Sequence, residues 1–160
     1  MTVVEGSAWP ADYEARKEGV DCSLCATIAG EAPPSWELVA VTGDTQVYVD
    51  HRAVEGYCVV VWARDHRVEP TQLDPEEAAV FWRDVLAVGR AVESVHRPVK
   101  VNYLILGNAV PHLHAQVLPR HASDPAPGQP LPFSEIFSGP AAEDDARTRR
   151  IEQLRDHLAG

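Results

Sequence analysis

The chain has 160 residues, of which 45% are hydrophobic, and its formal net charge is −10. This length suits one domain with a hydrophobic core, and the composition argues against disorder. The acidic balance argues against a nucleic-acid partner, because non-specific nucleic-acid binding needs a basic surface. No apolar run reaches the roughly 18 residues of a membrane span, and the amino terminus lacks a secretory signal pattern. We therefore expect a cytoplasmic protein with no membrane partner.

The amino-terminal half predicts an arm, a short helix and three strands. Residues 1–20 are polar and predict an irregular or partly helical arm. A short helix is expected after the pair Cys22 and Cys25, and it should end by Gly30. Residues 36–52 (WELVAVTGDTQVYVDHR) predict two strands joined by a turn, and residues 56–63 (GYCVVVWA) predict a buried strand.

A long amphipathic helix is predicted next. Asp74 suits the N-cap, Pro75 the first turn, and Glu77 completes a capping box. Apolar residues then recur at helical spacing as far as Pro98, and we expect the aromatic ones to lie in the core. The recurring residues are Ala78, Phe81, Trp82, Val85, Val88, Gly89 and Val92.

The carboxy-terminal half predicts two strands, at residues 99–107 and 112–119. A Pro-rich loop at residues 123–133 and a charged helix at residues 143–158 follow. The whole order predicts an α+β domain with a mainly antiparallel sheet, one long central helix and a short amino-terminal helix.

Residues 108–121 (NAVPHLHAQVLPRH) alternate polar and apolar side chains. Alternation is the period of a β-strand, so His112, His114 and Gln116 should line one face, and Pro119 should mark the strand's end. A sheet with one wetted, polar face would explain the pattern without any function. Imidazole, however, titrates near neutrality and serves as base, nucleophile or metal ligand.

The three cysteines are an odd number, and two of them form the close pair Cys22-Ser-Leu-Cys25. In a cytosolic chain such a pair indicates a metal half-site or a redox pair rather than a disulfide framework. Cys58 lies in an apolar strand and is expected in the core. The remaining histidines have no spacing argument and are expected at the surface: His51, His96, His121 and His157.

The segment His112-Leu-His114-Ala-Gln116-Val-Leu resembles the active-site signature of the histidine-triad (HIT) family, in its single-domain prokaryotic type. Residues 22–31 (CSLCATIAGE), 47–66 (VYVDHRAVEGYCVVVWARDH) and 106–114 (LGNAVPHLH) are similar to further family segments in the same order. The resemblance implies a HIT domain at residues 21–125 after the arm at residues 1–20. We expect the loop and helix of residues 126–160 to pack on this domain, and the family implies a homodimer.

The resemblance also implies chemistry at a nucleotide α-phosphate. By position His114 is the nucleophile that becomes nucleotidylated, with His112 and Gln116 as the other catalytic positions. The implied nucleotide-binding residues are Asp50 at the ribose hydroxyls and Asn102, Asn108 and Gln116 near the phosphate. Asp50 has a simpler alternative role as a turn-closing residue.

Gln116 departs from the family pattern, which has a third histidine there. A glutamine resembles the transferase branch, whereas the surrounding sequence resembles small single-domain members. The activity is therefore open between hydrolase and nucleotidyltransferase. Dinucleoside polyphosphates, nucleoside phosphoramidates and nucleotide sugars are the substrate types to consider. A nucleotide-binding or regulatory protein without turnover is the alternative.

Some prokaryotic relatives hold a structural zinc ion, and this chain has all four matching ligands: Cys22, Cys25, His66 and His112. Such a site would be closed, because no position remains for water. A reduced cysteine pair near two unrelated histidines is the alternative. Redox catalysis is disfavoured, since no thioredoxin-like context surrounds the pair.

Overall fold

The computed structural model describes residues 8–139 and 145–160. The strands are β1 (Trp36–Thr42), β2 (Thr45–Asp50), β3 (Cys58–Trp62), β4 (Lys100–Leu104) and β5 (His114–Arg120). The helices are α1 (Tyr13–Lys17), α2 (Ser23–Ile28), α3 (Pro75–His96), α4 (Phe133–Ile136) and α5 (Asp145–Ala159), with a 3-10 turn at Pro70–Gln72. Within the described ranges, every helix is too short or too polar to cross a membrane.

The five strands form one sheet in the order β1-β2-β3-β5-β4, and all neighbouring pairs are antiparallel. Together with the long α3 and the short α2, this confirms the predicted α+β class. Antiparallel pairing suits a sheet whose two faces are covered differently. One face packs on α3 and α5, and the other is covered by α2, α4 and the loops.

Helix α3 begins as its sequence predicts. The Asp74 carboxylate accepts the backbone N–H groups of Glu76 and Glu77, and the Glu77 carboxylate accepts the N–H of Asp74. Pro75 occupies the first turn, where its missing N–H costs no hydrogen bond. The buried side of α3 includes Phe81, Val85, Val88 and Val92, which join the main core cluster against the sheet.

The prediction that both aromatic residues of α3 lie in the core is wrong for Trp82. Phe81 is fully buried, whereas Trp82 is 42% exposed. Neighbouring positions on a helix are about 100° apart, so a helix that buries one stripe of its surface turns the next residue away from it. Trp82 contacts the edge of the Phe81 ring from outside the core.

Strand β5 differs at both ends from its prediction. It begins at His114, so His112 precedes the strand instead of lining its face. The backbone of residue 112 turns to donate its N–H to Val110, and Leu113 donates to Arg67. Pro119 lies inside the strand, which ends at Arg120. The ring is tolerated because β3 no longer pairs with β5 there, and only β4 does.

Both terminal segments contact the sheet domain. On the arm, the Tyr13 hydroxyl donates to the Gly107 carbonyl, and the Arg16 guanidinium donates to the Ala109 carbonyl. Helix α5 packs on α3 and β1, and its residues Ile151 and Leu154 belong to the main core. Residues 143 and 144, where this helix was expected to begin, lie outside the described residues.

His96, predicted to be a surface residue, is half-buried at the end of α3. Its ring lies over Gly56, so close that a Cβ there would meet ring carbons at 2.9 Å. Its Nε2 is buried with no hydrogen-bond partner among the described residues. Burial is the main cause that lowers the pKa of His96 from 6.5 to about 4. The sequence missed this because His96 is covered by segments distant in the chain.

This burial predicts a pH-dependent stability. Between pH 6.5 and about 4 the unfolded chain protonates His96 whereas the folded chain does not, so the free energy of unfolding falls as the pH is lowered. We expect a loss of about 1–2 kcal/mol over this window, after discounting for the accessible part of the ring. Urea titrations of wild type and His96→Leu measure it, with His157→Leu as control. An equal pH dependence in wild type and His96→Leu would contradict the assignment.

Candidate functional site

The polar residues of β5 lie on the face opposite α3. Leu113, Ala115 and Val117 belong to the main core against α3, as the alternation predicts. His114 and Gln116 are buried on the other face. On that face His114 lies beside Val61 of β3, and Gln116 lies beside Val59 of β3, because these residues are paired across the two strands.

One backbone hydrogen bond sets the tautomer of His114. Its Nδ1 lies 2.6 Å from the carbonyl oxygen of His112. A carbonyl oxygen can only accept, so Nδ1 carries the proton and, in the neutral ring, Nε2 keeps its lone pair. Burial lowers the pKa of His114 below its ordinary value, although the bond to the carbonyl opposes this. The ring is therefore neutral near pH 7, with its nucleophilic nitrogen directed away from the backbone.

Gln116 presents a buried amide with spare bonding capacity. Its Oε1 is buried and has no hydrogen-bond partner among the described residues. A buried polar atom without a partner is costly, so it indicates a place where a ligand completes the bonding. Turning the amide by 180° exchanges its oxygen and NH₂ ends. This position can therefore offer an acceptor or a donor next along the strand face from His114.

Four potential metal ligands converge beside the start of β5. Cys22 caps α2 and Cys25 lies in its first turn, His66 follows β3, and His112 precedes β5. The Sγ and Nδ1 atoms of these residues all lie within 4.8 Å of one another. The Nδ1 of His112 is 3.4 Å from the Cys22 sulfur and 3.5 Å from the Cys25 sulfur. Three separate segments of the chain thus meet at this cluster.

The cluster fits a tetrahedral zinc ion. Zinc–sulfur and zinc–nitrogen bonds of about 2.3 and 2.0 Å at the tetrahedral angle place sulfur and nitrogen about 3.5 Å apart, which matches the observed separations. Both imidazoles are held in the right tautomer. The Nε2 of His112 donates to the Trp62 carbonyl at 2.8 Å, and that of His66 donates to the Lys17 carbonyl at 3.0 Å. Each Nδ1 lone pair therefore faces the thiols.

The cysteine pair does not have the properties of a redox pair. Burial, together with the hydrogen bond and charge of Cys22, raises the pKa of the Cys25 thiol to about 11. A reactive cysteine needs a lowered pKa, because the thiolate is the nucleophile. A bound divalent cation would reverse this effect by favouring the thiolate.

Asp50 ends β2 on the same sheet face, with its carboxylate fully engaged. Arg52 and Trp36 donate four hydrogen bonds to it, which sequence reasoning did not anticipate. The sequence did contain a signal for one of these bonds, because an aspartate side chain often accepts the backbone N–H of the residue two positions later, here Arg52. Burial raises the pKa of Asp50, but the contacts with Arg52 and Trp36 outweigh it and hold the pKa below its usual value.

The two asparagines do not lie on β5 with His114 and Gln116. Asn102 pairs with Leu118, four residues along β5 from His114, and its Oδ1 accepts a bond of 2.8 Å from Arg120. Asn108 is exposed on the loop between β4 and β5. The structure therefore brings His114 and Gln116 side by side and joins His112 to both His114 and the cysteine–histidine cluster, while Asn102 lies farther along the sheet.

Comparison with known proteins identifies the family. The family model described as HIT domain matches residues 38–123, more than half of the chain. No curated protein sequence matches the chain. The solved structures that share the fold include three that are called histidine triad proteins.

The structure from Bradyrhizobium japonicum is 23% identical, with a TM-score of 0.69, over 78% of this chain and 91% of that one. The one from Marinobacter aquaeolei is 17% identical, with a TM-score of 0.69, over 86% and 96%. A zinc-bound protein from Mycobacterium smegmatis is 24% identical, with a TM-score of 0.62, over 88% and 94%. The family match and the fold agree with the resemblance in the sequence, and the chain belongs to the HIT domain family.

Proposed function

We propose that this protein is a nucleotide-processing enzyme in which His114 attacks the α-phosphate of a nucleotide substrate. The observation that carries the proposal is the bond between His114 Nδ1 and the His112 carbonyl, in a buried and neutral ring. It leaves Nε2 as a nucleophile at neutral pH without an external base. One structure with the same fold, from Sulfolobus tokodaii, is named a histidine triad nucleotide-binding protein.

The reaction proceeds in two displacements. The Nε2 lone pair of His114 forms a bond to phosphorus, and the bond from phosphorus to the leaving group breaks with its electron pair. The His112 carbonyl keeps its bond to Nδ1–H and stabilises the positive charge that develops on the ring. An acceptor oxygen then forms a bond to the phosphorus and loses its proton to solvent. The bond from phosphorus to Nε2 breaks, and its electron pair returns to Nε2, which leaves His114 neutral again. The Gln116 amide can donate to a phosphoryl oxygen in both steps.

No proton donor stands beside His114 among the triad positions. Gln116 cannot titrate, and both ring nitrogens of His112 are occupied, Nε2 by the Trp62 carbonyl and Nδ1 by the cysteine cluster. The triad positions therefore supply no general acid for the leaving group. Good leaving groups, such as the phosphate chain of a dinucleoside polyphosphate or of a nucleotide sugar, fit this site best. Nucleoside phosphoramidates, whose amine needs a proton, fit it less well.

The lack of a proton donor at the triad positions also supports a second candidate function. A HIT protein with no proton donor could bind a nucleotide and act as a regulatory protein without turnover. In that case Gln116 and His114 would form ligand contacts only. The covalent intermediate distinguishes the two functions, because only the enzyme forms it.

Zinc would be held by Cys22, Cys25, His66 and His112 in a structural role. The ligand distances and the two fixed imidazole tautomers support this. All four positions would be filled by protein atoms, so the ion would supply no reactive water. It would fix α2 and the loop after β3 to the residue that orients His114.

A homodimer is proposed across the open edge of the sheet. Strand β4 is an edge strand, and exposed apolar side chains lie on it, on the segments at its two ends and on α3. An edge strand beside an apolar surface is a common interface between copies of a chain. The exposed residues are Trp82, Leu86, Val99, Tyr103 and Leu106. Sedimentation of the purified protein at a monomer mass would contradict this dimer.

Replacing His114 by alanine should abolish turnover and leave nucleotide binding nearly intact. The lost bond exists only on the reaction path, so kcat should fall by roughly 10³-fold or more. Mass spectrometry after mixing with a dinucleoside polyphosphate should show an acid-labile nucleotidyl adduct on wild type and on the control His121→Ala, but none on His114→Ala. Tight binding by wild type with neither adduct nor turnover would favour the regulatory candidate instead.

Replacing Gln116 by histidine should shift the products towards hydrolysis. An imidazole there could assist water or protonate a leaving group, and such help is typically worth about 10²–10⁴-fold. The readout is the partition of the nucleotidyl group between water and added phosphate, followed against pH. Gln116→Asn, which keeps an amide, is the control. If wild type shows no acceptor preference and Gln116→His leaves the partition unchanged, Gln116 is a neutral replacement.

Metal analysis should find one zinc ion per chain in protein purified without chelator. Cys22→Ser with Cys25→Ser should lose the zinc, whereas Cys58→Ala should retain it, since Cys58 lies in the core away from the cluster. Because metal binding is coupled to folding, chelation should lower the melting temperature of wild type but not of the double variant. A zinc content far below one per chain would rule out this site.

A further inference from the structure

The Asp50 carboxylate has no free acceptor position. Its Oδ1 accepts the backbone N–H of Arg52 at 2.9 Å and the Nε of Arg52 at 3.2 Å. Its Oδ2 accepts the Trp36 Nε1 at 2.9 Å and the Nη2 of Arg52 at 3.0 Å. An ionised carboxylate offers about four lone-pair positions, so these four donors saturate it. No further hydroxyl can bind Asp50 unless one of them leaves.

The four donors are not equally fixed. The Arg52 N–H belongs to the turn that closes β2, and the Trp36 ring packs against Tyr48 with ring centroids 5.5 Å apart. The Arg52 side chain is 60% exposed, although the carboxylate that it covers is only 1% exposed. Arg52 is therefore the donor that can leave at the lowest cost, because its guanidinium can be solvated where it lies.

The Arg52 side chain occupies one position on each carboxylate oxygen. Its departure would free two adjacent acceptor positions, one on Oδ1 and one on Oδ2. A pair of neighbouring hydroxyls on one ligand needs that arrangement. The backbone N–H and the Trp36 ring could keep the remaining two bonds, so the carboxylate would stay ionised and oriented.

We propose that Arg52 is a specificity-determining latch, whose guanidinium must leave Asp50 before the 2′ and 3′ hydroxyls of a ribonucleotide can bind there. The inference rests on the proposed function and on the ribose-binding role that the family resemblance implies for Asp50. A ligand that lacks both hydroxyls gains nothing from opening the latch. It would leave the buried carboxylate short of donors if it displaced Arg52.

The latch lowers the apparent affinity for ribonucleotides by the fraction of time that it is open. Arg52→Ala should therefore tighten ribonucleotide binding, by roughly 5- to 50-fold for a charged pair with one buried partner. Binding of 2′,3′-dideoxynucleotides should not tighten, since they do not use Asp50. If the positive charge of Arg52 attracted the nucleotide phosphate at long range, Arg52→Ala would have the opposite effect. It would weaken the binding of ribonucleotides and dideoxynucleotides equally.

Titration calorimetry tests this with the four ribonucleoside 5′-monophosphates and their 2′,3′-dideoxy analogues. The matched control is Arg83→Ala, because Arg83 is 63% exposed and pairs with the buried Asp84 on α3, just as Arg52 pairs with Asp50. We expect tighter ribonucleotide binding in Arg52→Ala alone. Arg52→Lys keeps the positive charge but not the two-point contact of the guanidinium, so it should tighten ribonucleotide binding by a smaller factor. If Arg52→Ala does not fold, the same comparison is made with Arg52→Lys.

Three results would overturn the latch while leaving the proposed function intact. These are weaker ribonucleotide binding in Arg52→Ala, unchanged binding, and equal tightening of ribo- and dideoxynucleotides. Absence of nucleotide binding in both wild type and Arg52→Ala would instead contradict the proposed function itself, and the latch with it.

Discussion

The geometry of this protein depends on the three hydrogen-bonding and ligand contacts of a single residue, His112. Its carbonyl accepts the Nδ1–H of His114, its Nε2 donates to Trp62 on β3, and its Nδ1 faces the two sulfurs of the cysteine pair. Through these contacts His112 links the cluster, the sheet and the His114 ring. A shift of α2 or of the loop after β3 would move His112 and change the orientation of His114.

This arrangement separates roles that a row of three titratable histidines would share. His112 is fully bonded and holds its neighbour, His114 is neutral and nucleophilic, and Gln116 offers an amide with an unpartnered oxygen. In the proposed reaction the triad positions contribute positioning and charge stabilisation, since Gln116 cannot titrate and both ring nitrogens of His112 are bonded. Because these positions supply no base that activates water, we expect the choice of acceptor in the proposed reaction to depend on which molecule reaches the phosphorus.

Local sequence signals predicted the parts of the structure that depend on local physics. The capping box before α3, the alternation from Leu113 to Val117 and the turn between β1 and β2 follow from hydrogen bonds and periods within a few residues. The burial of His96 and the start of β5 depend on distant segments, whereas the exposure of Trp82 follows from the stripe of α3 that is buried. The cluster of Cys22, Cys25, His66 and His112 was predicted because the family resemblance supplied the pairing of residues about 40 to 90 positions apart, which spacing alone does not give.

The most direct test of this account is the protonation of the two triad imidazoles, read by nitrogen-15 NMR at pH 7 on the zinc-loaded protein. We expect His114 to be neutral with its proton on Nδ1, and His112 to have its proton on Nε2 and its Nδ1 bound to metal. A His114 ring that carries its proton on Nε2, or that is cationic at this pH, would contradict it. In either case the nitrogen assigned to attack phosphorus would have no lone pair to form the bond.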